Sequence, residues 1–499
     1  MNIKEAKKDI KRTIKGYLLK DEYGRYVIPQ HQQRPIFLLG APGIGKTDIM
    51  SQIASELNIP MLSYSMTHHT RQSAIGLPII KKKIYGGKEY DVSEYTMSEI
   101  ISSVYEMIES TGKKNGVLFL DEINCVSETL SPIILQFLQY KVFGGHKVPE
   151  GWIVVTAGNP PEYNNSVHEF DIVTWDRLKR IEVEPDFDVW KEYAYEVGVH
   201  PSIITYLETK KKNFYHIEQN VDGKSFVTAR GWVDLSRIIK VYESMGEPVN
   251  KDLIGQYIHD EKIARDFGVY YDLYKKYKSD YQVNDIIAGN YNQELIDRSA
   301  NAEYDEKFSL LGLLIEVLGD DAKSVIKNEN VMTANFSKLK ELKESSTVVE
   351  TLEKYISELE EEISRKKNSN ALSDKDYGIL LMRIDLLKKY EKAAKLLPDA
   401  PFEAVRLAFN KDAADHKKMC EKVKKHYSNA FKFCDAAFGS DSQQLLILCT
   451  EMVANTHISL YIATKGCDEY YKHDEMLMFH KRNIEIIKEL ETLNEIEEM

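Results

Sequence analysis

The stretch Ile36-Phe37-Leu38-Leu39-Gly40-Ala41-Pro42-Gly43-Ile44-Gly45-Lys46-Thr47 runs from four apolar residues into a glycine-rich octet ending in Lys-Thr. The apolar tetrad reads as a buried strand. From Thr47 to Leu57, the residues Ile49, Met50, Ile53, Ala54 and Leu57 fall on one helical face. A G-x-x-x-x-G-K-T octet between a strand and a helix is a phosphate-binding loop. Its glycines let the backbone close around phosphate oxygens with the amide N–H groups turned inward. The helix N-terminus behind it adds partial positive charge. Lys46 supplies full charge to the β- and γ-phosphates, and the Thr47 hydroxyl is suited to Mg²⁺. Gly40, Ala41, Pro42, Gly43, Ile44, Gly45, Lys46 and Thr47 are therefore expected to hold ATP with Mg²⁺.

Working outward, Met61-Leu62-Ser63-Tyr64, Val117-Leu118-Phe119-Leu120 and Ile153-Val154-Val155-Thr156-Ala157 read as further buried strands. Near-continuous hydrophobicity suits a parallel sheet covered on both faces, and helical stretches between the runs make this an α/β domain. The third run ends in Asp121-Glu122. A buried strand has little reason to end in two acids unless a cation or a water is managed there. Asp121 is expected in the Mg²⁺ shell beside Thr47, and Glu122 as the group that polarises the attacking water. The fourth run leads into Gly158-Asn159-Pro160-Pro161. Asn159 then lies at the carboxyl edge of the sheet, where ligands bind in open α/β folds, within reach of the γ-phosphate or the water.

Three regions follow from the texture of the chain. Residues 1–184 form the nucleotide-binding α/β domain. Residues 185–290 read as a small helical lid, with Trp190, Tyr193 and Val197, then Ile203, Ile204 and Leu207, at helical spacing. Residues 300–499 are helical in pattern throughout and are assigned to a client or partner. There Leu352, Ile356, Leu359 and Ile363 recur every three or four positions, Ser364–Asn370 forms a polar break, and a second run extends from Asp374 to Leu397. Helices are also expected over Glu403–Phe438 and Ser442–Thr464, with Gly439 as a boundary. The heptad-like pattern fits an intramolecular bundle or a coiled-coil partner surface.

A chain of 499 residues divides into two to four domains, and its 43% hydrophobic and 29% charged content is that of a soluble globular protein. No apolar run approaches the roughly 18 residues needed to cross a bilayer. The longest, Leu310–Leu318, contains Glu316 and reads as a buried helix. The N-terminus carries charges of both signs and no apolar signal core, so a cytoplasmic location is expected. Five cysteines with no CxxC pair argue against a disulfide framework; His416 and Cys420, four apart, read as ordinary helix packing. A net charge of −12 disfavours nucleic acid. The tight basic clusters, Lys81-Lys82-Lys83 and Lys210-Lys211-Lys212, read as solvated surface. Adjacent His68 and His69 point apart on a loop and do not suggest a metal. Lys141–Lys147 reads as a hairpin with an exposed Phe143, either touching a substrate protein or simply packed. There is no GxSxG elbow, HExxH helix or zinc-ribbon spacing.

Taken together, the loop, the acids Asp121-Glu122 and Asn159 resemble the AAA+ ATPases in order and spacing. Leu130–Trp152, with Leu135-Gln136-Phe137-Leu138-Gln139 and Gly144-Gly145-His146, resembles the hairpin-bearing stretch of the MoxR-like branch. Trp175-Asp176-Arg177-Leu178 resembles that branch's Asp-Arg-Phe element, with Leu178 in place of Phe. The resemblance makes Arg177 the arginine finger that enters a neighbouring subunit's site, with Arg180 as its competitor. Thr228-Ala229-Arg230-Gly231-Trp232 resembles the sensor 2 element, which makes Arg230 a γ-phosphate contact. It covers residues 1 to about 280. It implies a homo-oligomeric, hexameric ring, chaperone-like remodelling, and a partner protein carrying a von Willebrand factor A domain. The alternatives are a nucleic-acid-associated motor, such as a restriction-type subunit or helicase loader, and a nucleotide switch without turnover.

Overall fold

The four apolar runs lie in one parallel sheet. In the computed structural model, which describes residues 1–163, 167, 170–220, 223–344, 347–368 and 374–473, the chain forms two compact units. The first comprises Met1–Val189, Thr228–Arg230 and Ser357–Leu380; the second comprises Trp190–Val227, Gly231–Ile356 and Leu381–Met499.

The first unit begins with α1 (Ile3–Tyr17), β1 (Ile36–Gly40), α2 (Lys46–Glu56), β2 (Met61–Ser65), α3 (Arg71–Ile75), β3 (Pro78–Tyr85), β4 (Lys88–Tyr95) and α4 (Glu99–Thr111). It continues through β5 (Gly116–Asp121), α5 (Ser131–Tyr140), β6 (Val142–Phe143), β7 (His146–Lys147), β8 (Trp152–Gly158), α6 (Ile172–Trp175) and β9 (Lys179–Val183). The main sheet has the order β2-β5-β8-β1-β9 with every pairing parallel. Alternate residues of each strand enter different cores. Phe37, Leu118, Leu120 and Val154 pack with α4 and α5 residues such as Val104 and Phe137. Ile36, Leu38, Val117, Phe119, Ile153 and Val155 pack with Ile10 and Ile14 of α1 and Ile49 and Ile53 of α2. Both faces of β1, β5 and β8 are covered, which is why these strands are apolar at almost every position rather than every second one. The expectation of a buried strand at Met61–Tyr64 is corrected: β2 lies at the sheet edge, none of its residues is buried and Ser63 is exposed.

Helix α1 starts at a capping box: Asn2 Oδ1 accepts from Glu5 N, and Glu5 Oε2 accepts from Asn2 N. Its residues Ala6, Ile10 and Ile14 are fully buried at a spacing of four. Strand β9 adds a fifth, edge strand to the four expected. Only Ile181 and Val183 are buried in it, against exposed Arg180 and Glu182, so it alternates where β1, β5 and β8 run continuously. Strands β3 and β4 form a separate hairpin turning at Gly86-Gly87, both at positive φ.

One expectation is corrected at the β6–β7 hairpin. Phe143 is fully buried, stacked on Phe137 with ring centroids 3.9 Å apart. The turn residue Gly144 has φ 55°, and a Cβ there would lie 2.0 Å from Ile75 O. The tip is thus covered by the end of α3, and the ring turns inward. The packed reading holds.

Among the described residues the second unit is helical apart from one antiparallel hairpin, His216–Asn220 with Gly223–Val227. Leu310–Leu318 lies inside the helix Tyr304–Glu341 with Leu310, Leu311, Leu313, Leu314, Ile315 and Leu318 buried. The expected single helix over Ser442–Thr464 is two, Gln443–Ala454 and Thr456–Lys465, bent by 91°. Asn455 makes the break, accepting from His457 N and Ile458 N as the cap of the second helix.

Elsewhere in the chain, Ser364–Lys367 of the expected polar break continue the helix Val348–Asn368, because charged straight-chain residues favour helix. Ser369 and Asn370 lie outside the described residues. Among the described residues no single helix is long and apolar enough to cross a membrane.

Candidate nucleotide site

The carboxyl ends of β1, β8, β5 and β2 stand in a row, and each delivers polar side chains to the same edge of the sheet. Between β1 and α2, Gly43 (φ 74°) and Gly45 (φ 91°) adopt left-handed backbone that residues with a Cβ resist. Gly40 has no room for a side chain, since a Cβ would meet Val183 O of β9 at 2.7 Å. The loop therefore curls tightly and enters α2 with its amide groups at the helix start.

Lys46 is buried, 8% exposed. Its Nζ donates to Gly40 O at 2.7 Å, Ala41 O at 2.9 Å and Asn159 Oδ1 at 2.9 Å, which occupies all three ammonium hydrogens. Burial lowers its pKa to about 8; the Asp121 charge opposes this and the Arg230 charge reinforces it. Thr47 Oγ1 donates to Asp121 Oδ2 at 2.9 Å. A hydroxyl and a carboxylate in contact are the oxygen donor set that a Mg²⁺ ion takes, so these two residues fit the cation.

Glu122 follows in left-handed backbone, φ 55° and ψ 34°, a conformation uncommon for a residue with a Cβ. Its N–H donates to Asp121 Oδ1 at 2.9 Å. Its Oε2 accepts from Ser65 Oγ at 2.9 Å and Thr67 Oγ1 at 3.0 Å. Two hydroxyls at the end of β2 thus fix the carboxylate. The sequence singles out neither Ser65 nor Thr67, because a pair of small hydroxyls beyond a strand carries no distinctive signal. His69, in the same loop, bonds Ser73 Oγ through Nδ1 at 3.1 Å.

Asn159 is held twice, its side chain by Lys46 and its backbone O by Asn124 Nδ2 at 2.8 Å. The structure thus gathers Lys46, Thr47, Asp121, Glu122 and Asn159. Arg230 joins them through the segment Thr228–Arg230: a Cβ on Gly43 would lie 3.1 Å from Thr228 Cβ and 3.4 Å from Arg230 Cβ. Arg177 bonds none of these groups. It is exposed, and its Nη1 donates to the neutral Gln139 Oε1 at 2.7 Å. Arg180 is engaged within its own chain, paired with Glu182 and lying 4.6 Å over the Trp175 ring. Leu178 is 4% exposed and sits in the core, so the apolar position after Arg177 is filled.

Residues 36–163 match the model of the ATPase family associated with various cellular activities (AAA). The AAA match supports an ATPase domain in this segment. It spans the phosphate loop, the acids Asp121 and Glu122, and Asn159, whereas Arg177 and Arg230 lie beyond it. No curated protein matches the chain.

Proposed function

We propose that the chain binds ATP and hydrolyses it in an oligomer whose adjacent subunits complete each other's sites, using the turnover to remodel a client protein. The observation that carries turnover is the fixed Glu122 carboxylate beside the Thr47–Asp121 pair. Thr47 and Asp121 would hold Mg²⁺, which neutralises charge on the β- and γ-phosphate oxygens when bound. Lys46 exchanges its carbonyl partners for phosphate oxygens. Glu122 orients a water and takes its proton as the oxygen attacks phosphorus, and Asn159 and Arg230 bind the γ-phosphate as the bond to the β-phosphate oxygen breaks. A carboxylate fixed by two hydroxyls, on a residue in left-handed backbone, is more than a plain nucleotide switch requires.

Arg177 is our choice for the arginine supplied to a neighbour, because Arg180 is already paired in its own chain. The MoxR-like assignment, the hexameric ring and the von Willebrand factor A-domain partner rest on the sequence resemblance. The nucleic-acid reading gains nothing from the basic clusters. Lys81 and Lys83 pair with Glu94, Lys82 with Glu89, Lys210 with Asp266 and Lys211 with Glu208.

The test is steady-state ATPase activity of the full chain, alone and with single-stranded or duplex DNA. Turnover that is abolished by Glu122→Gln and indifferent to DNA is expected. No turnover, or strong stimulation by DNA, would overturn the reading. For the shared site, Arg177→Ala and Lys46→Ala chains should each be inactive and recover activity when co-assembled.

A further inference from the structure

Asn124 lies in the short turn after the two acids and is 5% exposed, so its amide group must find partners inside the protein. Its Nδ2 donates 2.8 Å to the backbone O of Asn159, 35 positions away. The approach is close enough to dictate the residue before Asn159: a Cβ on Gly158 would stand 2.3 Å from Asn124 Oδ1 and 2.9 Å from Phe37 Cζ. The strand β8 therefore ends in a glycine so that this amide can reach the next carbonyl.

The two bonds on Asn159 are of different kinds. Lys46 holds the side-chain oxygen and is the group that phosphate will attract away; Asn124 holds the backbone and has no charge to lose. When Lys46 turns to phosphate, the Asn159 side chain is released while its main chain stays anchored to the turn that carries Asp121 and Glu122.

We infer that Asn124 is a positioning residue for hydrolysis, acting through Asn159 by keeping its backbone in register with the acidic turn while its side chain moves to the γ-phosphate. This rests on the ATPase reading given above. The bond that Asn124 donates goes to the Asn159 backbone. Its effect is on the geometry of Asn159, and small displacements at a reacting centre are costly in rate. Ground-state binding, which depends on the loop and Lys46, should be spared.

The experiment is a double-mutant cycle on the full chain, with kcat and KM for ATP and the equilibrium binding of a fluorescent ATP analogue. Asn124→Asp keeps the size and one oxygen but sets a carboxylate oxygen against the Asn159 carbonyl. We expect its kcat to fall about 10- to 100-fold. KM and analogue binding should stay within about twofold, as for loss of an interaction that matters only in the transition state. In an Asn159→Ala background the same change should have almost no further effect, since Asn124 acts only through that residue. Asn124→Ser, uncharged and with a donor of shorter reach, carries the same cycle if the Asp variant folds poorly by circular dichroism. Unchanged kcat, effects that add to Asn159→Ala, or a KM rising in step with the kcat loss would overturn the inference. An inactive wild-type chain would instead overturn the ATPase reading itself and this inference with it.

Discussion

Lys46 Nζ and Asn159 Oδ1 are 2.9 Å apart across 113 positions of sequence, joining the start of α2 to the end of β8, the strand beside β1. Lys46 is buried and its pKa is lowered to about 8 by that burial. An incoming phosphate adds negative charge and raises the pKa again. Near and above pH 8, binding of ATP should therefore draw in protons, and affinity should fall as pH rises. Calorimetry in buffers of different ionisation enthalpy should read a net proton uptake that Lys46→Met removes. For the free protein the sign is opposite: the unfolded chain holds the extra proton between about pH 8 and 10.4, so this group's contribution to stability rises with pH across that window.

Glu122→Gln retains size and hydrogen bonding at the end of β5 but cannot take a proton. Nucleotide binding should persist while kcat drops by about 100-fold or more. Equal loss of binding and turnover would mean that the residue supports the fold of the site rather than the reaction.

The hydroxyls of Ser65 and Thr67 share one carboxylate oxygen. Removing either leaves the other in place, so Ser65→Ala or Thr67→Val alone should lower kcat about tenfold, the loss of one of two charge-assisted hydrogen bonds. The double variant frees the carboxylate and should lower kcat by more than the product of the two, with KM unchanged. Strict additivity would exclude a shared role.

Phe143 fills the space under the β6–β7 hairpin against Phe137. Truncation to Ala should destabilise the first unit by about 3–5 kcal/mol, measured by urea unfolding. A surface-exposed ring would give a change near zero.

Much of the first unit was legible because a doubly covered parallel sheet leaves a strong trace. Each of β1, β5 and β8 is a short apolar run, and at β5 and β8 the polar residue that follows the run, Asp121 or Asn159, marks the strand end that carries the candidate site. Strand β9 escaped because only Ile181 and Val183 are buried, separated by Glu182, a pattern too short to stand out. Ser65, Thr67 and Asn124 escaped for another reason. Each acts by touching a residue distant in sequence, and nothing in a serine, a threonine or an asparagine announces such a contact. Phe143 was misplaced because adjacent glycines predict a hairpin correctly but do not say which side its neighbour faces. The break at Asn455 was hidden by apolar residues on both sides of it.

The left-handed backbone of Glu122 sets two requirements at odds. Local conformation would prefer glycine or asparagine there, and either would relax the main chain. Neither carries an acid. A search for more heat-resistant variants would thus be drawn to replace a side chain to which the proposed hydrolysis assigns the attacking water, so thermal robustness and catalysis should trade against each other at this position.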